Sequence, residues 1–516
     1  MTMNIRRLIH IFIAVTCLAM LSACYNYDQE GIEEVNAGNY YINLAISVSN
    51  GNGHFTRAGE QPTGGENGDG REAGFERENT ITGILLILYK DATGINTTAD
   101  PTLDLVRYFP VTLDSRDAQG TEYTTKKEEA YYTTGNQPLG SHKLDMTATY
   151  HAIVIANAAE VAASLVEGTS KLSAIRDAVL NTIYVGNPTM TADKCTNFVM
   201  SSEADNTINF GSVTATNLDG SAHIKGQDML FDVSGQPLVI KRLAARIDFW
   251  AANSTGYDET TYSKKGYVYN VGTTADKFVV TGIVPFNLNN GHATYGSEYL
   301  LKRQCADKDH LLATAVSYLA DETTSSYVID PQTLSKTTGS LSLTSPLSGI
   351  YTLIGSDKIE STTDNPYYHS VEAMHASSTG KFDLTVGGKT AEDIIVAYPM
   401  ENTLRPTSEL YYYATGIAIV GYYYVGGSGA GTRMVYLGYL RHQGDLASYD
   451  INSSATELSK TATMGETKAM NFGIVRNNIY RVSIESISPI TSSDGTIKIK
   501  IEEEKWRHVD NPEIYI

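Results

Sequence analysis

Apolar and polar residues alternate with period two over much of this chain, the mark of strands with one buried face. In residues 40–48, Ile42, Leu44, Ile46 and Val48 fall on one side, and Tyr41, Asn43, Ala45 and Ser47 on the other. The stretch 49–77 then loses almost all apolar residues and fills with Gly, Asn, Glu and Thr. It reads as an exposed loop, the preferred place for proteolysis. "ITGILLILY" at 81–89 is a continuous apolar run bounded by turn residues, which predicts a strand covered on both faces. Residues 144–160 predict another strand. A helix is predicted from Ala158 to Leu180, with Leu172, Ile175, Val179 and Leu180 at helical spacing.

A second unit begins near Gly235. "QPLVIKRLAARIDFWAAN" reads as a strand in which Leu243, Ala245, Ile247 and Phe249 alternate with Ala244, Arg246, Asp248 and Trp250. "VTGIVPFNLN" at 280–289 echoes "ITGILLILYK" at 81–90, each downstream of an alternating strand and a long polar loop. The echo predicts two related β-sandwich domains in a mainly β chain, with one helix in the N-terminal domain. Near the C-terminus, "NIYRVSIESI" (478–487) and "TIKIKIEEEKW" (496–506) alternate, and the last ten residues carry Val509, Ile514 and Ile516. The expected organisation is a signal at 1–23, a leader with its strand at 24–57, and domains at 58–234 and 235–516.

The N-terminus changes the setting. Arg6 and Arg7 precede an apolar run, Leu8 to Leu21, too short to span a bilayer. It ends in Leu21-Ser22-Ala23-Cys24, which matches the bacterial lipobox, where the signal is cut before the cysteine and the thiol is lipidated. An ordinary signal peptide with a chance cysteine is the plainer alternative. Only Cys195 and Cys305 are then left, too few for a disulfide scaffold, so an apolar core carries stability. At 516 residues and 42% hydrophobic, the chain can build such cores. Its formal charge of −19 argues against nucleic acid as a partner, because phosphate binding needs clustered Lys and Arg.

Little in the sequence points to catalysis. The "GGSGAG" stretch at 426–431 lacks the Lys-Ser/Thr of a phosphate loop, and its Ser428 is followed by Gly429 and Ala430, not x-Gly. It reads as a hairpin tip between Tyr-rich strands. No H-E-x-x-H and no Cys/His pair at zinc spacing occurs, so no metal, cofactor or catalytic residue is assigned. His369 and His375 read as solvated histidines of a loop. Glu33-Glu34 and Glu502 to Glu504 read as solubilising charge, and Asp28, Glu30, Glu33 and Glu34 as a charged tether or a surface-export signal. The tyrosines of 411–424 read either as strand packing with wet hydroxyls or as a platform for sugars.

Several blocks, in this order, resemble the fimbrillin family of Bacteroidetes, the subunits of type V pili, and its minor-fimbria branch in particular. They are the lipobox at Cys24 with its arginine loop, "YHAIVIAN" (150–157), "FVMSSE" (198–203), "IKRLAARIDF" (240–249), "YPMEN" (398–402) and "FGIVRNNIYRVSIESI" (472–487). The resemblance implies two transthyretin-like, Greek-key β-sandwich domains and a non-enzymatic stalk or tip subunit. It implies export as a lipoprotein anchored by Cys24 in the outer membrane, then cleavage by an arginine-specific protease at Arg57–Ala58. Arg71 and Arg77 lie in the same loop as rival cut sites. The strand carrying Ile42, Leu44, Ile46 and Val48 would leave, and a neighbouring subunit's strand would fill its groove in an extracellular fimbrium. The implied donor is the tail with Val509, Ile514 and Ile516, with "TIKIKIEEE" as the other candidate. Other fimbrial subunits and host or bacterial surface glycans or proteins are the implied partners. A rival from a different class is a surface-anchored glycan-binding lipoprotein that keeps its leader; a hydrolase finds no nucleophile, base or metal set here.

Physical chemistry supports strand exchange on its own terms. Removing a strand leaves a row of unpaired N–H and C=O groups beside an apolar trench, which another extended chain can complete. Burying one side of a nine-residue strand hides on the order of 300–400 Å² of apolar surface, or roughly 8–10 kcal/mol before ordering costs. A head-to-tail contact that does not close builds a filament.

Overall fold

The computed structural model describes residues 41–49, 71–72, 78, 80–90, 101–114, 129–133, 137–138, 149–172, 174, 198–202, 207–209, 240–242, 244–288, 368–377, 380–386, 388–399, 402–403, 415–440, 448–452, 473–474, 477–490, 496–506 and 512–515. They are mainly strands, arranged in four larger sheets and a two-stranded ribbon of Asn402–Thr403 with Gly473–Ile474.

The first sheet runs Pro512–Tyr515, Tyr41–Ser49, Glu129–Thr133, Thr112–Asp114, and Gln137–Pro138 also pairs with Tyr41–Ser49. The second runs Ile240–Arg242, Met200–Ser202, Thr149–Ala156, Gly83–Tyr89, Leu103–Pro110, with Thr207–Asn209 on Thr149–Ala156. All seven residues of Gly83–Tyr89 are buried, as an uninterrupted apolar run in mid-sheet requires. The helix Ala159–Ser164 sends Val161 into that core.

The predicted helix over Ala158 to Leu180 is cut short after this one turn and a half. Leu165 is extended and Gly168 takes a left-handed φ of 70°. The backbone of 168–171 turns to strand-like bonding instead: Gly168 N–H donates to Leu103 O, Leu103 N–H to Ser170 O, and Thr102 bridges Lys171; Leu172 and Ala174 are helical again. Tertiary pairing thus overrides the helical spacing, helped by a glycine that costs a helix about 1 kcal/mol. Ile175, Val179 and Leu180 lie outside the described residues.

The third and fourth sheets form one sandwich. The third runs Lys381–Val386, Lys389–Ala397, Arg246–Trp250, Asn478–Ile487, Thr496–Trp506, whose far edge carries Ser448–Asn452 and Arg71–Glu72. The fourth runs Tyr257–Asp258, Gly266–Asn270, Lys277–Phe286, Gly416–Tyr424, Thr432–Tyr439, with His369–Ser370 on Lys277–Phe286. A single apolar cluster joins them: Ile247, Phe249, Val482, Ile484, Ile497 and Ile499 from one sheet meet Tyr269, Phe278, Ile283, Ile417, Ile419 and Tyr436 from the other.

Two details correct the sequence reading. The strand read over 236–253 is broken: Ile240–Arg242 completes the second sheet, and Arg246–Trp250 starts inside the third. Along Arg246–Trp250 the alternation separates an apolar face from a charged one, and every residue is buried. A second helix, Val371–Ala376, stands where a loop was expected; the Ser370 hydroxyl caps it by accepting from Ala373 N–H.

The echo at 81–84 and 280–283 has a physical counterpart. A Cβ on Gly83 would lie 2.1 Å from the Tyr108 hydroxyl, and one on Gly282 would lie 2.3 Å from the Tyr368 ring. Both glycines keep a strand flat beneath a tyrosine.

Candidate strand-exchange site

The strand that holds Ile42, Leu44, Ile46 and Val48 is the nine-residue Tyr41–Ser49. On one edge it pairs antiparallel with the C-terminal tail: Asn43 with Tyr515, Leu44 with Ile514, Ala45 with Glu513, Ile46 with Pro512. On the other edge Ala45 to Ser49 pair with Thr133 to Glu129, and Tyr41 and Ile42 with Pro138 and Gln137. The leader strand is therefore an interior strand of its sheet. Taking it out exposes the edge formed by 129–133 and 137–138 and leaves Pro512–Tyr515 without its sheet neighbour. Pro512 has no N–H to donate, and it sits in an end strand, where proline is tolerated. Cys24, Val509 and Ile516 lie outside the described residues, as do Cys195 and Cys305.

The two donor candidates differ sharply in their surroundings. Thr496–Trp506 pairs along its length with Asn478–Ile487, and its other edge is covered by Ser448–Asn452 and Arg71–Glu72. Ile497 and Ile499 are 0% exposed in the sandwich core. Pulling this strand out would dismantle the domain. Pro512–Tyr515 touches only the leader strand in its sheet.

The three arginines also differ. Arg57 and Ala58 lie outside the described residues. Arg71 pairs in a short parallel strand with Lys505. Arg77 immediately precedes Glu78, which is 0% exposed. The Glu78 carboxylate accepts from Arg246 Nη1 at 3.2 Å and from the Tyr398 hydroxyl, and its carbonyl accepts from Arg242 Nε at 3.0 Å. A protease binds several residues around the scissile bond as an extended strand. Cutting after Arg71 or Arg77 requires peeling these contacts away; cutting after Arg57 breaks none of them.

Glu78 belongs to a buried cluster that the sequence did not reveal. Arg246 forks onto Asp248, with Nη2 at 2.7 Å and Nε at 3.0 Å. Arg481 Nε donates to Asp393 at 2.7 Å, and its Nη2 lies 3.7 Å from Asp248. Arg242 donates from Nη1 to Asn477 Oδ1 at 3.1 Å. Burial lowers the Arg242 pKa to about 10, with Glu78 opposing, and burial raises that of Asp248 against the pull of Arg246. Three guanidiniums and three carboxylates balance here, and breaking such a buried pair costs about 3–5 kcal/mol. The clue in the sequence was stoichiometric: "IKRLAARIDF" and "RNNIYRV" bring three buried arginines, which need more acid than Asp248 alone.

The blocks quoted above meet at this cluster. "IKRLAARIDF" supplies Arg242, Arg246 and Asp248; "YPMEN" supplies Tyr398; "FGIVRNNIYRVSIESI" supplies Asn477 and Arg481. Phe198 of "FVMSSE" packs its ring 4.8 Å from that of Tyr398. Asn157, which ends "YHAIVIAN", donates from Nδ2 to Phe198 O and Thr80 O and accepts from Thr82 N–H. Asn157 and Asn477 both adopt the left-handed φ that asparagine tolerates, at 59° and 57°.

"GGSGAG" is a hairpin tip joining the paired strands Gly416–Tyr424 and Thr432–Tyr439. Asp276 anchors it, accepting from Gly426 N–H at 2.7 Å and from the Tyr423 hydroxyl at 2.6 Å. Tyr423 and Tyr424 are buried and Tyr422 is half-buried, so these three pack a sheet and do not form an open aromatic platform. Tyr411 to Tyr413 lie outside the described residues. His369 is buried, which corrects the solvated reading. His375 stacks on Tyr257 with ring centroids 3.7 Å apart, and its Nδ1 lies 2.8 Å from Glu392 Oε2. Among the described residues no group of three or more His, Cys, Asp or Glu is placed to hold a metal ion. No helix among them is long and apolar enough to cross a membrane.

No family model matches the chain, and no curated protein does. Solved structures similar to it are fimbrial and candidate cell-adhesion proteins. One, from Parabacteroides distasonis, is 14% identical over 90% of this chain and 97% of its own, with a TM-score of 0.36. A second, from Bacteroides eggerthii, is 11% identical over 93% and 100%, with a TM-score of 0.34. A third is the tip fimbrial protein of Porphyromonas gingivalis with a C-terminal truncation, 10% identical over 90% and 100%, with a TM-score of 0.34.

Proposed function

We propose that this protein is a non-enzymatic structural subunit, stalk or tip, of a cell-surface fimbria. It is exported as a lipoprotein through Cys24 and held at the outer membrane. An arginine-specific protease cuts it at Arg57–Ala58, and it then polymerises by strand exchange with other subunits in an extracellular filament that supports adhesion. The observation that carries this reading is the interior position of Tyr41–Ser49: this described strand upstream of the arginine loop is paired on both edges. Its loss leaves a vacancy shaped for an extended peptide.

N-terminal sequencing of protein sheared from cells tests it. The expected start is Ala58; a start at lipidated Cys24 overturns the reading and favours the anchored glycan binder. Arg57→Ala is expected to abolish the ladder of oligomers, or to shift the start to 72 or 78 with slower release. An unchanged ladder in the variant lacking Arg57, Arg71 and Arg77 would count against arginine processing.

A further inference from the structure

We infer that the leader strand masks both halves of the polymer contact at once: it fills the acceptor edge at 129–133 and 137–138 and, by the same strand, holds the chain's own tail, Pro512–Tyr515, out of use. The inference rests on the strand-exchange reading above and adds how assembly is timed. A single cut would then create an acceptor and release a donor in the same molecule.

The register carries it. Leader residues Ala45 and Ile46 pair with Glu513 and Pro512 on one edge and with Thr133 and Tyr132 on the other. The middle of the leader is thus shared by donor and acceptor, and neither contact survives its departure. Among the described residues the tail has no other strand neighbour. Its upstream end is fixed, because Trp506 closes a strand paired on both sides. Six residue steps separate Trp506 from Pro512, a reach of at most about 20 Å. The freed tail therefore stays close to its own body and swings about one end.

Strand direction selects the partner. The tail runs antiparallel to the leader, and the leader antiparallel to Glu129–Thr133, so the tail lies parallel to its own acceptor edge. Sliding sideways by one strand into its own vacancy would give a parallel ladder, the less stable kind. The tail of a second copy enters in the leader's own direction and rebuilds the antiparallel ladder. The occupant of the vacancy is therefore a second copy of this chain.

The test is a reversible tie between leader and tail. In the full chain with Cys17, Cys24, Cys195 and Cys305 replaced by Ser, Leu44→Cys and Ile514→Cys are combined. These residues are direct partners, at a spacing a disulfide spans. The uncut chain is expected to form this bond internally. Limited digestion with an arginine-specific endoprotease, verified by the new N-terminus at Ala58, is expected to give no oligomers while the bond is intact. Reductant added to the same digest should then restore the ladder. Each single-cysteine variant should polymerise after cutting, which separates the tie from any folding defect. Failure of the internal bond to form, or equal polymerisation of oxidised and reduced digests, overturns the mask while the strand-exchange reading stands. Complete cutting with no oligomer in either digest, single variants included, overturns both.

Discussion

Two strands near the C-terminus, Thr496–Trp506 and Pro512–Tyr515, lie five residues apart in sequence and have opposite fates in the fold. The first is paired on both edges and sends Ile497 and Ile499 into the core of a two-sheet sandwich. The second hangs on a single neighbour, itself upstream of a loop read as a cutting site. The first alternates Ile497, Ile499 and Ile501 with charged residues and the second carries Ile514 between Glu513 and Tyr515, so an apolar residue flanked by polar ones marks both and does not separate them. What separates them is the number of edges satisfied and where in the chain those partners come from. A strand whose partners come from the body of the domain is structure; a strand whose partner is disposable is available for exchange.

The largest effect that sharpens this contrast is Ile499→Ala. The residue is fully enclosed, so the cavity and lost transfer energy together should cost about 4 kcal/mol, in the upper half of the range for such changes. Urea unfolding of the full chain, followed by far-UV circular dichroism, measures it. A loss below about 1 kcal/mol would mean that this strand is not locked and would return it to the list of donors.

Much of the locked half was readable in the sequence because period-two alternation reports which faces are buried. Gly83–Tyr89, Lys277–Phe286, Asn478–Ile487 and Thr496–Trp506 fall where the pattern places them within a few residues. The helix over 158–180 was read as continuous because spacing ignores competition: Gly168 and the pairing of 101–103 interrupt it, and it is helical again at Leu172 and Ala174. Glu78 sits in a polar run that looks solvated, and only the tertiary meeting of three arginines from distant blocks draws it inside. The contact between leader and tail was unreadable for another reason. Parity tells which residues share a face and says nothing about which strand lies alongside, and the two partners here stand at opposite ends of the chain.

Acid provides a second, slightly smaller lever on the locked sandwich. His369 lies in the strand His369–Ser370, buried against Lys277–Phe286, and its Nε2 has no hydrogen-bond partner among the described residues. Burial holds its pKa down at about 4, from an ordinary 6.5. Above pH 6.5 both folded and unfolded chains carry it neutral. As pH falls below that, the unfolded chain takes up a proton that the folded one refuses until about pH 4. Stability therefore drops across this window, by about 3 kcal/mol from this residue. His369→Leu should remove that share of the drop, seen as a flatter dependence of urea midpoint on pH between roughly 7.5 and 4. An identical slope in parent and variant would show that the side chain reaches water.

The smallest expected effect is the most discriminating, because it repeats the first substitution on the other strand. Ile514→Ala should change the unfolding free energy of the uncut chain by less than about 0.5 kcal/mol, as substitutions outside a packed core do. The reason is topological: Pro512–Tyr515 ends its sheet, and among the described residues it pairs with the leader strand alone. After cutting at Arg57, the same variant should shorten the oligomer ladder, since the donor has lost an apolar anchor that the vacated edge was built to receive. Equal denaturant midpoints with unequal ladders would place the function of the tail between molecules and not within one. A destabilisation as large as that of Ile499→Ala would make the tail part of the domain's own fold, and the distinction between a locked strand and a lendable one would fail at the point where it matters.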